Sequence, residues 1–172
     1  MHILFRVNPG TGKTSIAHEM GRILKSLGIL RSDTVKVVTS SDLIGEYRGN
    51  SGPKTKKVID DALGGILFID EAYTLTTGNR TEQDFAAEVI KELIIAMESY
   101  RDQLVVIFAG YPEKMDRFLD SNEGLASRIS RKFNFPDNTP SELMEIFRRM
   151  LTEDDLILSE AGEVKINLYI QS

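Results

Sequence analysis

The amino-acid sequence predicts an α/β fold of three layers, with helices on both faces of a central parallel sheet. Short apolar runs typical of strands alternate along the 172 residues with segments whose apolar residues recur at helical spacing. Several of the strand-like runs are apolar at every position, as expected for strands buried on both faces. Strands that alternate with helices pair in parallel, because each helix carries the chain back to the edge where the previous strand began.

The first half of the chain contains three of the predicted strands. The first predicted helix ends at a glycine, and the second begins at a proline, which the first turn of a helix accepts. In order, we predict a strand over 1–7, a helix over 14–28, a strand over 35–38, a loop over 40–52, a helix from Pro53 and a strand over 66–69.

The second half of the chain continues this alternation. We predict a polar loop over 74–83, a long helix that includes 85–97, a strand over 104–109, a short helix over 112–119 and a strand over 132–135. Thr139, Pro140 and Glu142 then combine an N-cap, a first-turn proline and a capping-box acid, which is a typical helix start. We therefore expect an α/β domain over residues 1–136 and, over 137–172, the beginning of a small helical lid that stays incomplete.

The turn after the first strand has the composition of a phosphate-binding loop. It contains Asn8, Pro9, Gly10, Thr11, Gly12, Lys13, Thr14 and Ser15. Its glycines allow a sharp turn whose backbone N–H groups point at phosphate oxygens. Lys13 is expected to reach the β- and γ-phosphates and the Thr14 hydroxyl to ligate Mg²⁺, while the helix N-terminus favours the anion. An ordinary glycine turn is the alternative, but the strand–loop–helix context favours phosphate binding.

Val7 departs from the pattern G-x-x-x-x-G-K-[ST], which has glycine at this position. A β-branched side chain disfavours positive φ and takes space that glycine leaves open. We therefore expect nucleotide binding to survive but activity to be weakened, and replacement of Val7 by glycine to raise it.

Two acids follow the apolar run at 66–69. Asp70 is expected to bind Mg²⁺, and Glu71 to orient and deprotonate an attacking water. A solvated loop explains most isolated Asp-Glu pairs. Together with the upstream loop, however, the pair predicts a site that binds and hydrolyses ATP with Mg²⁺.

The composition excludes several classes of protein. The chain has no cysteine, which excludes disulfides, thiolate metal sites and a cysteine nucleophile. A net charge of −5 and a pI of about 5.1 argue against nonspecific nucleic-acid binding. No apolar run reaches the roughly 18 residues that span a bilayer, and we find no secretory signal. We expect no nucleic-acid or membrane partner and a cytoplasmic location, with a plastid or another organelle as the alternative.

The sequence resembles the AAA+ ATPases of the CbbX/CfxQ group, which includes red-type Rubisco activase and the stage V sporulation protein K-like ATPases. The resemblance covers nearly the whole chain, from His2 to about Gly162, and several of its motifs are specific to this group. The motifs are those at 8–14, 42–49, 53–56, 67–73, 109–112, 124–125 and 127–128. The resemblance implies the P-loop NTPase fold of AAA+ proteins, with ATP and Mg²⁺ as cofactors.

The resemblance also implies a homo-oligomeric ring, commonly a hexamer, with ATP at subunit interfaces. Arg128 matches the arginine finger that reaches the neighbouring site, and Arg131 is a second candidate. The alternative is that both arginines are solvated. Tyr47 matches the aromatic residue that grips a protein client in the pore, and Arg48 beside it replaces the usual aliphatic residue. The alternative for Tyr47 is a half-buried loop aromatic.

Two functions stay open at this point. The first is an ATP-driven remodeller that threads or pulls a protein client, for which Rubisco is one possibility. The second is a module that binds nucleotide without hydrolysing it, which Val7 and the lack of an assignable lid arginine favour. The survival of the polar catalytic groups favours the first. Gly110 stands where many AAA+ proteins have a polar sensor, although this group often has glycine there. A DNA-directed AAA+ protein is disfavoured by the acidic balance.

Overall fold

The computed structural model describes residues 1–8, 11–47 and 49–153, together with positions 156, 159, 162 and 166. A 3-10 helix, Ala72–Thr76, lies between the third strand and the fourth helix. The chain divides into two compact units, Met1–Phe135 and Pro136–Ser172. In chain order the other elements are β1 (His2–Val7), α1 (Lys13–Ser26), β2 (Val35–Val38), α2 (Ser40–Leu43), α3 (Ser51–Ala62), β3 (Ile66–Ile69), α4 (Arg80–Ser99), β4 (Val105–Gly110), α5 (Pro112–Asp120), α6 (Glu123–Ala126), β5 (Ile129–Phe135) and α7 (Pro140–Glu153).

The five strands pair in parallel in one sheet, in the order β2-β3-β4-β1-β5. The predicted α/β class with a central parallel sheet is therefore confirmed. Arg6 near the end of β1 pairs with Gly110 of β4, and Ile69 of β3 pairs with Phe108 of β4. Because the strands are parallel, the loops that follow β1, β3 and β4 leave the sheet at the same edge.

Alternate residues of each central strand enter two different cores. On one face Leu4, Leu67 and Phe108 pack with residues of α3, α4 and α5. On the other face Phe5 and Phe68 pack with residues of α1. Burial of each such side chain stabilises the fold by about 1.5–3 kcal/mol. The sheet is consequently covered on both sides.

The first half of the chain contains one helix that the sequence does not predict and one that begins earlier than predicted. The short helix α2 lies inside the predicted loop over 40–52, because Thr39 and Asp42 form a capping box in which the Thr39 N–H donates to Asp42 Oδ2 at 2.7 Å. These hydrogen bonds with Thr39 lower the pKa of the Asp42 carboxyl. The helix α3 begins at Ser51 rather than Pro53, since proline is accepted anywhere in a first turn whose N–H groups lack partners.

The remaining differences lie in the second half of the sheet domain. The helix α4 begins at Arg80, inside the predicted polar loop, and the four-residue helix α6 falls where none is predicted. The strand β5 begins at Ile129 rather than Lys132. It is an edge strand whose residues 130–134 are exposed, so it lacks the apolar run that marks the inner strands.

The helix α7 of the second unit begins as predicted. The Thr139 N–H donates to Glu142 Oε2 at 2.7 Å, and the Glu142 N–H donates to Thr139 Oγ1 at 3.3 Å. The hydrogen bonds that the Glu142 carboxylate accepts from the Thr139 N–H and hydroxyl lower the pKa of this carboxyl. In the part of the chain that the structure describes, no helix has the length and apolar character needed to cross a bilayer.

Candidate functional site

The loop after β1 connects the sheet to the N-terminus of α1. The Thr11 hydroxyl donates to the Asn8 carbonyl oxygen at 2.9 Å, which braces the loop across its turn. Gly12 is the N-cap of α1 with φ 73°, a left-handed conformation that glycine adopts without strain. Lys13, Thr14 and Ser15 form the first turn of α1, at which no side chain of the described residues acts as a cap. Pro9 and Gly10 of the predicted loop lie outside the described residues.

The structure brings Lys13 and Asp70 into direct contact. The Lys13 Nζ donates to Asp70 Oδ1 at 2.6 Å, although the two residues are 57 positions apart. Their side chains are only 20% and 24% exposed, so the pair is largely shielded from solvent. Asp70 directly follows β3, and Lys13 follows the loop after β1. The two residues meet because both strands end at the same edge of the sheet. The two halves of the predicted site therefore form one site.

Glu71 stands beside this ion pair in a left-handed conformation. Its φ is 49°, and it is the one non-glycine residue with positive φ among those described. Such a conformation costs on the order of 1–3 kcal/mol and is concentrated at functional sites. The Glu71 N–H donates to Asp70 Oδ1 at 2.8 Å, and the Tyr73 hydroxyl donates to Glu71 Oε1 at 3.1 Å. Both acids are thus held by hydrogen bonds at the carboxyl edge.

The predicted Mg²⁺ ligands, Thr14 and Asp70, are oxygen donors at one edge of the sheet. The Asp70 carboxylate accepts a hydrogen bond from the Lys13 ammonium, so this carboxylate faces a position suited to positive charge. Among the described residues no three acids or histidines are grouped as a metal cage. Mg²⁺ is typically held by one or two protein oxygens while phosphates and water complete its shell, so this donor set fits Mg²⁺ bound with a nucleotide.

Val7 does not have the backbone conformation that we expected to be unfavourable. It is the last residue of β1, pairs with Phe135 of β5, and does not have positive φ. Its side chain is 1% exposed and belongs to the core beneath α1. The expectation of backbone strain at Val7 is therefore wrong, because the strand continues through this residue and the turn begins after it.

The two candidate arginines lie away from this site in their own subunit. Arg128 directly precedes β5, at the amino edge of the sheet, where its neighbour Ile129 pairs with His2. Its guanidinium donates to the Gly124 carbonyl oxygen at 3.0 Å and lies 3.6 Å from Glu98 Oε2. Arg131 is exposed within β5. The structure does not bring either arginine to Lys13 and Asp70 of the same chain.

Tyr47 lies on the surface between α2 and α3. Its residue is 69% exposed, which is unusual for a large aromatic side chain. The alternative of a half-buried loop aromatic is therefore excluded for this chain by itself. Arg48, the second predicted pore residue, lies outside the described residues.

Tyr73 is a site residue to which sequence analysis assigned no role. It belongs to the motif that contains Asp70 and Glu71, but its position two residues after Glu71 does not reveal where its hydroxyl points. The 3-10 helix turns the chain back, so that the Tyr73 hydroxyl meets Glu71.

Comparison with known protein families identifies a match over residues 3–137. The family is described as the ATPase family associated with various cellular activities (AAA). Among solved structures, the crystal structure of the FIGL-1 AAA domain is similar, with a TM-score of 0.65 and 19% sequence identity over 96% of this chain and 53% of that one. At this identity the likeness supports the fold alone.

Several curated relatives match nearly the whole chain, among them the following two. A chloroplastic ribulose bisphosphate carboxylase/oxygenase activase from Cyanidioschyzon merolae is 48% identical over 171 residues, which are 99% of this chain and 58% of the relative. The protein CfxQ from Xanthobacter flavus is 46% identical over 170 residues, which are 99% of this chain and 53% of the relative. The chain therefore spans somewhat more than half the length of each. Their names confirm the resemblance to the CbbX/CfxQ group.

Proposed function

Because the chain belongs to the AAA family of ATPases, we propose that it binds ATP with Mg²⁺ and hydrolyses it to remodel a protein client. The observation that carries this proposal is the contact of Lys13 with Asp70, 2.6 Å between Nζ and Oδ1, beside Glu71. A cation, a metal-binding carboxylate and a second carboxylate in this arrangement are the groups that phosphoryl transfer to water requires.

Each residue has a distinct part in the proposed reaction. The N–H groups of the loop and of the first turn of α1 bind phosphate oxygens, and Lys13 adds a positive charge to them. Thr14 and Asp70 hold Mg²⁺, which when bound neutralises charge on the phosphates. Glu71 orients a water molecule and accepts its proton as that water attacks the terminal phosphorus. Thr11 holds the loop through its hydrogen bond to the Asn8 carbonyl oxygen, and Ser15 belongs to the first turn of α1 that binds the phosphates.

Lys13 and Asp70 form an ion pair within the proposed nucleotide site. Each group neutralises the other, which lowers the cost of holding two charges in a partly buried place. Bound ATP would offer Lys13 phosphate oxygens as partners, and Mg²⁺ would give the Asp70 carboxylate a cation in place of the ammonium. The ammonium and the carboxylate keep a partner of opposite charge in both states, so the exchange leaves no buried charge unpaired.

Assembly and client belong to the same proposal. We propose a ring of identical subunits in which Arg128, or Arg131, acts on the neighbouring subunit and Tyr47 with Arg48 contacts the client. The exposure of Tyr47 supports this part. The name of the Cyanidioschyzon merolae relative makes Rubisco the first client to test. Location in the cytoplasm or in a plastid stays a prediction.

The proposal is tested by measuring Mg·ATP binding and phosphate release with the full chain. Glu71→Gln should retain binding and lose at least about 100-fold in turnover, because it removes the base. Lys13→Ala should weaken ATP binding by at least about tenfold, because it removes a charged hydrogen-bond donor to phosphate. Lys25→Ala is the matched control: it breaks another ion pair of α1, with Asp33 at 2.8 Å, away from the site.

The outcomes distinguish the two functions that the sequence leaves open. Binding with turnover that Glu71→Gln abolishes supports an ATPase. Binding without turnover in the unaltered chain supports a nucleotide-binding module that does not hydrolyse ATP. Absence of binding, or equal binding by the chain and Lys13→Ala, contradicts the assignment of the loop.

A further inference from the structure

Tyr73 is a buried tyrosine whose polar end reaches the proposed catalytic base. Its residue is 7% exposed, whereas Glu71 is exposed, so the phenol lies under the site and points outward. The hydroxyl donates to Glu71 Oε1 at 3.1 Å. A buried tyrosine normally places its hydroxyl against a partner, and here that partner is a carboxylate of the site.

The end of β4 is shaped to admit the Tyr73 ring. A Cβ atom at Gly110 would lie 2.8 Å from Tyr73 Cδ1 and 2.8 Å from Met115 Sδ, both too close for real atoms. Gly110 is thus a position at which any side chain collides with this ring. The space that a side chain at the carboxyl end of β4 would fill is occupied instead by Tyr73, from the neighbouring strand's loop.

The ring of Tyr73 also contacts a cation and a second aromatic residue. The Lys114 Nζ lies 4.5 Å from the centre of the Tyr73 ring and 4.8 Å from that of Tyr111, and the two rings are 5.7 Å apart. Cation–π contacts of this kind contribute about 0.5–2 kcal/mol each. The ring therefore has little freedom to turn its hydroxyl away from Glu71.

The Tyr73 hydroxyl also stays protonated. Burial, followed by the hydrogen bond to Glu71, raises the pKa of Tyr73 to about 12. Near neutral pH the Tyr73 hydroxyl consequently keeps its proton and donates it in the hydrogen bond to the Glu71 carboxylate.

We propose that Tyr73 is a positioning residue that orients the Glu71 carboxylate to accept a proton from the attacking water, and that Gly110 is required because it leaves room for the Tyr73 ring. This inference rests on the proposed ATPase function. The strand β4 ends at Gly110, which has no side chain. The proposal explains how this edge of the sheet still has a polar group, since the Tyr73 hydroxyl supplies it. A base held by a third group is a recurring arrangement in enzymes.

The test compares the steady-state ATPase kinetics of Tyr73→Phe with those of the unaltered chain. This variant keeps the ring and its packing and removes only the hydroxyl. We expect kcat to fall about tenfold, while KM for ATP and the affinity for ADP change less than about twofold, since the hydroxyl touches the base and not the nucleotide. Tyr111→Phe is the matched control. It removes a hydroxyl from the same aromatic pair that, within the described residues, makes no hydrogen bond, and its kcat should be unchanged.

Two further variants separate positioning from folding. In a Glu71→Gln background, Tyr73→Phe should cause no further loss of turnover, because the group that it orients is already gone. Gly110→Ala should displace the ring and lower kcat, yet add little to Tyr73→Phe. Denaturant unfolding of all variants gives their stability independently of turnover.

Three results would overturn the inference. An unchanged kcat for Tyr73→Phe, in a chain that Glu71→Gln inactivates, refutes the role of Tyr73 and leaves the ATPase proposal intact. A raised kcat means that the hydroxyl restrains Glu71 rather than orienting it for the reaction. Turnover that persists in Glu71→Gln means that another group is the base, which removes the role of Tyr73 but leaves ATP hydrolysis standing.

Discussion

At the scale of single residues, the two histidines of the chain differ in how far they are buried. His2 is 3% exposed, whereas His18 is exposed on α1. The Val106 N–H donates to His2 Nδ1 at 3.2 Å, so the proton of the neutral ring is on Nε2, which donates to the Met97 carbonyl oxygen at 2.9 Å. Burial lowers the pKa of His2 from 6.5 to about 4. The folded protein therefore binds this proton less readily than the unfolded chain does.

We predict that His2 makes folding stability depend on pH between 6.5 and 4. Because the folded-state pKa lies below the unfolded one, the stabilisation is present above pH 6.5 and is lost as pH falls toward 4. The free energy of unfolding should be about 2 kcal/mol lower at pH 5 than at pH 7.5 from this residue. Urea unfolding at the two pH values measures it. His18→Asn should keep this difference and His2→Asn should remove it; an equal difference in both variants would contradict the assignment.

Val7 provides a second prediction at this scale. Since it is a buried strand residue, Val7→Gly should lower the free energy of unfolding by about 3 kcal/mol through a lost side chain and a more flexible backbone. The substitution should not raise turnover, because the turn begins after this residue. Val37→Gly in β2, where the valine is 42% exposed, should cost only about 1 kcal/mol. Chemical unfolding and an ATPase assay of both variants test this, and a faster Val7→Gly enzyme of normal stability would disprove it.

At the scale of elements, the helix α4 is started by side chains at its own N-terminus. The Asn79 N–H donates to Glu82 Oε2 at 2.7 Å, and the Glu82 N–H donates to Asn79 Oδ1 at 3.1 Å. This capping box satisfies two N–H groups at the point where the chain leaves the 3-10 helix below Glu71. It explains why the helix begins inside a segment whose composition is polar.

We predict that Asn79→Ala lowers the free energy of unfolding by about 1 kcal/mol, because an N–H of the first turn loses its acceptor. Thr81→Ala changes an exposed residue of the same turn and should stay within about 0.5 kcal/mol of the unaltered chain. Urea denaturation followed by circular dichroism makes the comparison. Equal effects of the two substitutions would mean that the capping box contributes nothing specific.

At the scale of the whole molecule, the position of Arg128 bears on assembly. The arginine lies at the amino edge of the sheet, whereas Lys13 and Asp70 lie at the carboxyl edge. A charge at the amino edge does not reach the phosphates of its own subunit, but it can be presented to another subunit. In the single chain its guanidinium donates a hydrogen bond to the Gly124 carbonyl oxygen and forms an ion pair with Glu98.

We predict that Arg128 acts on a neighbouring subunit. Arg128→Ala and Glu71→Gln should each be inactive alone, and a mixture of the two should recover part of the turnover. Recovery is expected because some interfaces then pair an intact Glu71 with an intact Arg128. Phosphate release is measured against mixing ratio, with each variant mixed with itself as the control. A mixture that stays inactive, although size-exclusion chromatography shows co-assembly, would contradict action between subunits.

Local patterns were sufficient for much of this fold. The strands β2 and β3 have the predicted bounds, and the cap of α7 is formed by Thr139 and Glu142, because apolar periodicity and caps depend on residues close together in the chain. The phosphate-binding loop and the Asp70-Glu71 pair were recognisable because their chemistry requires fixed residue types at short spacing. The edge strand β5 was found only in part, since its exposed residues carry little periodic signal.

The sequence by itself thus determined the fold class, the family resemblance and the two halves of the candidate site. Only the tertiary structure decided that Lys13 pairs with Asp70, that Val7 is strand core rather than part of a strained turn, and that the Tyr73 ring occupies the space beside Gly110. The physical reason is distance along the chain. These contacts join residues from different crossovers, and they form only when parallel strands bring their carboxyl ends to one edge of the sheet.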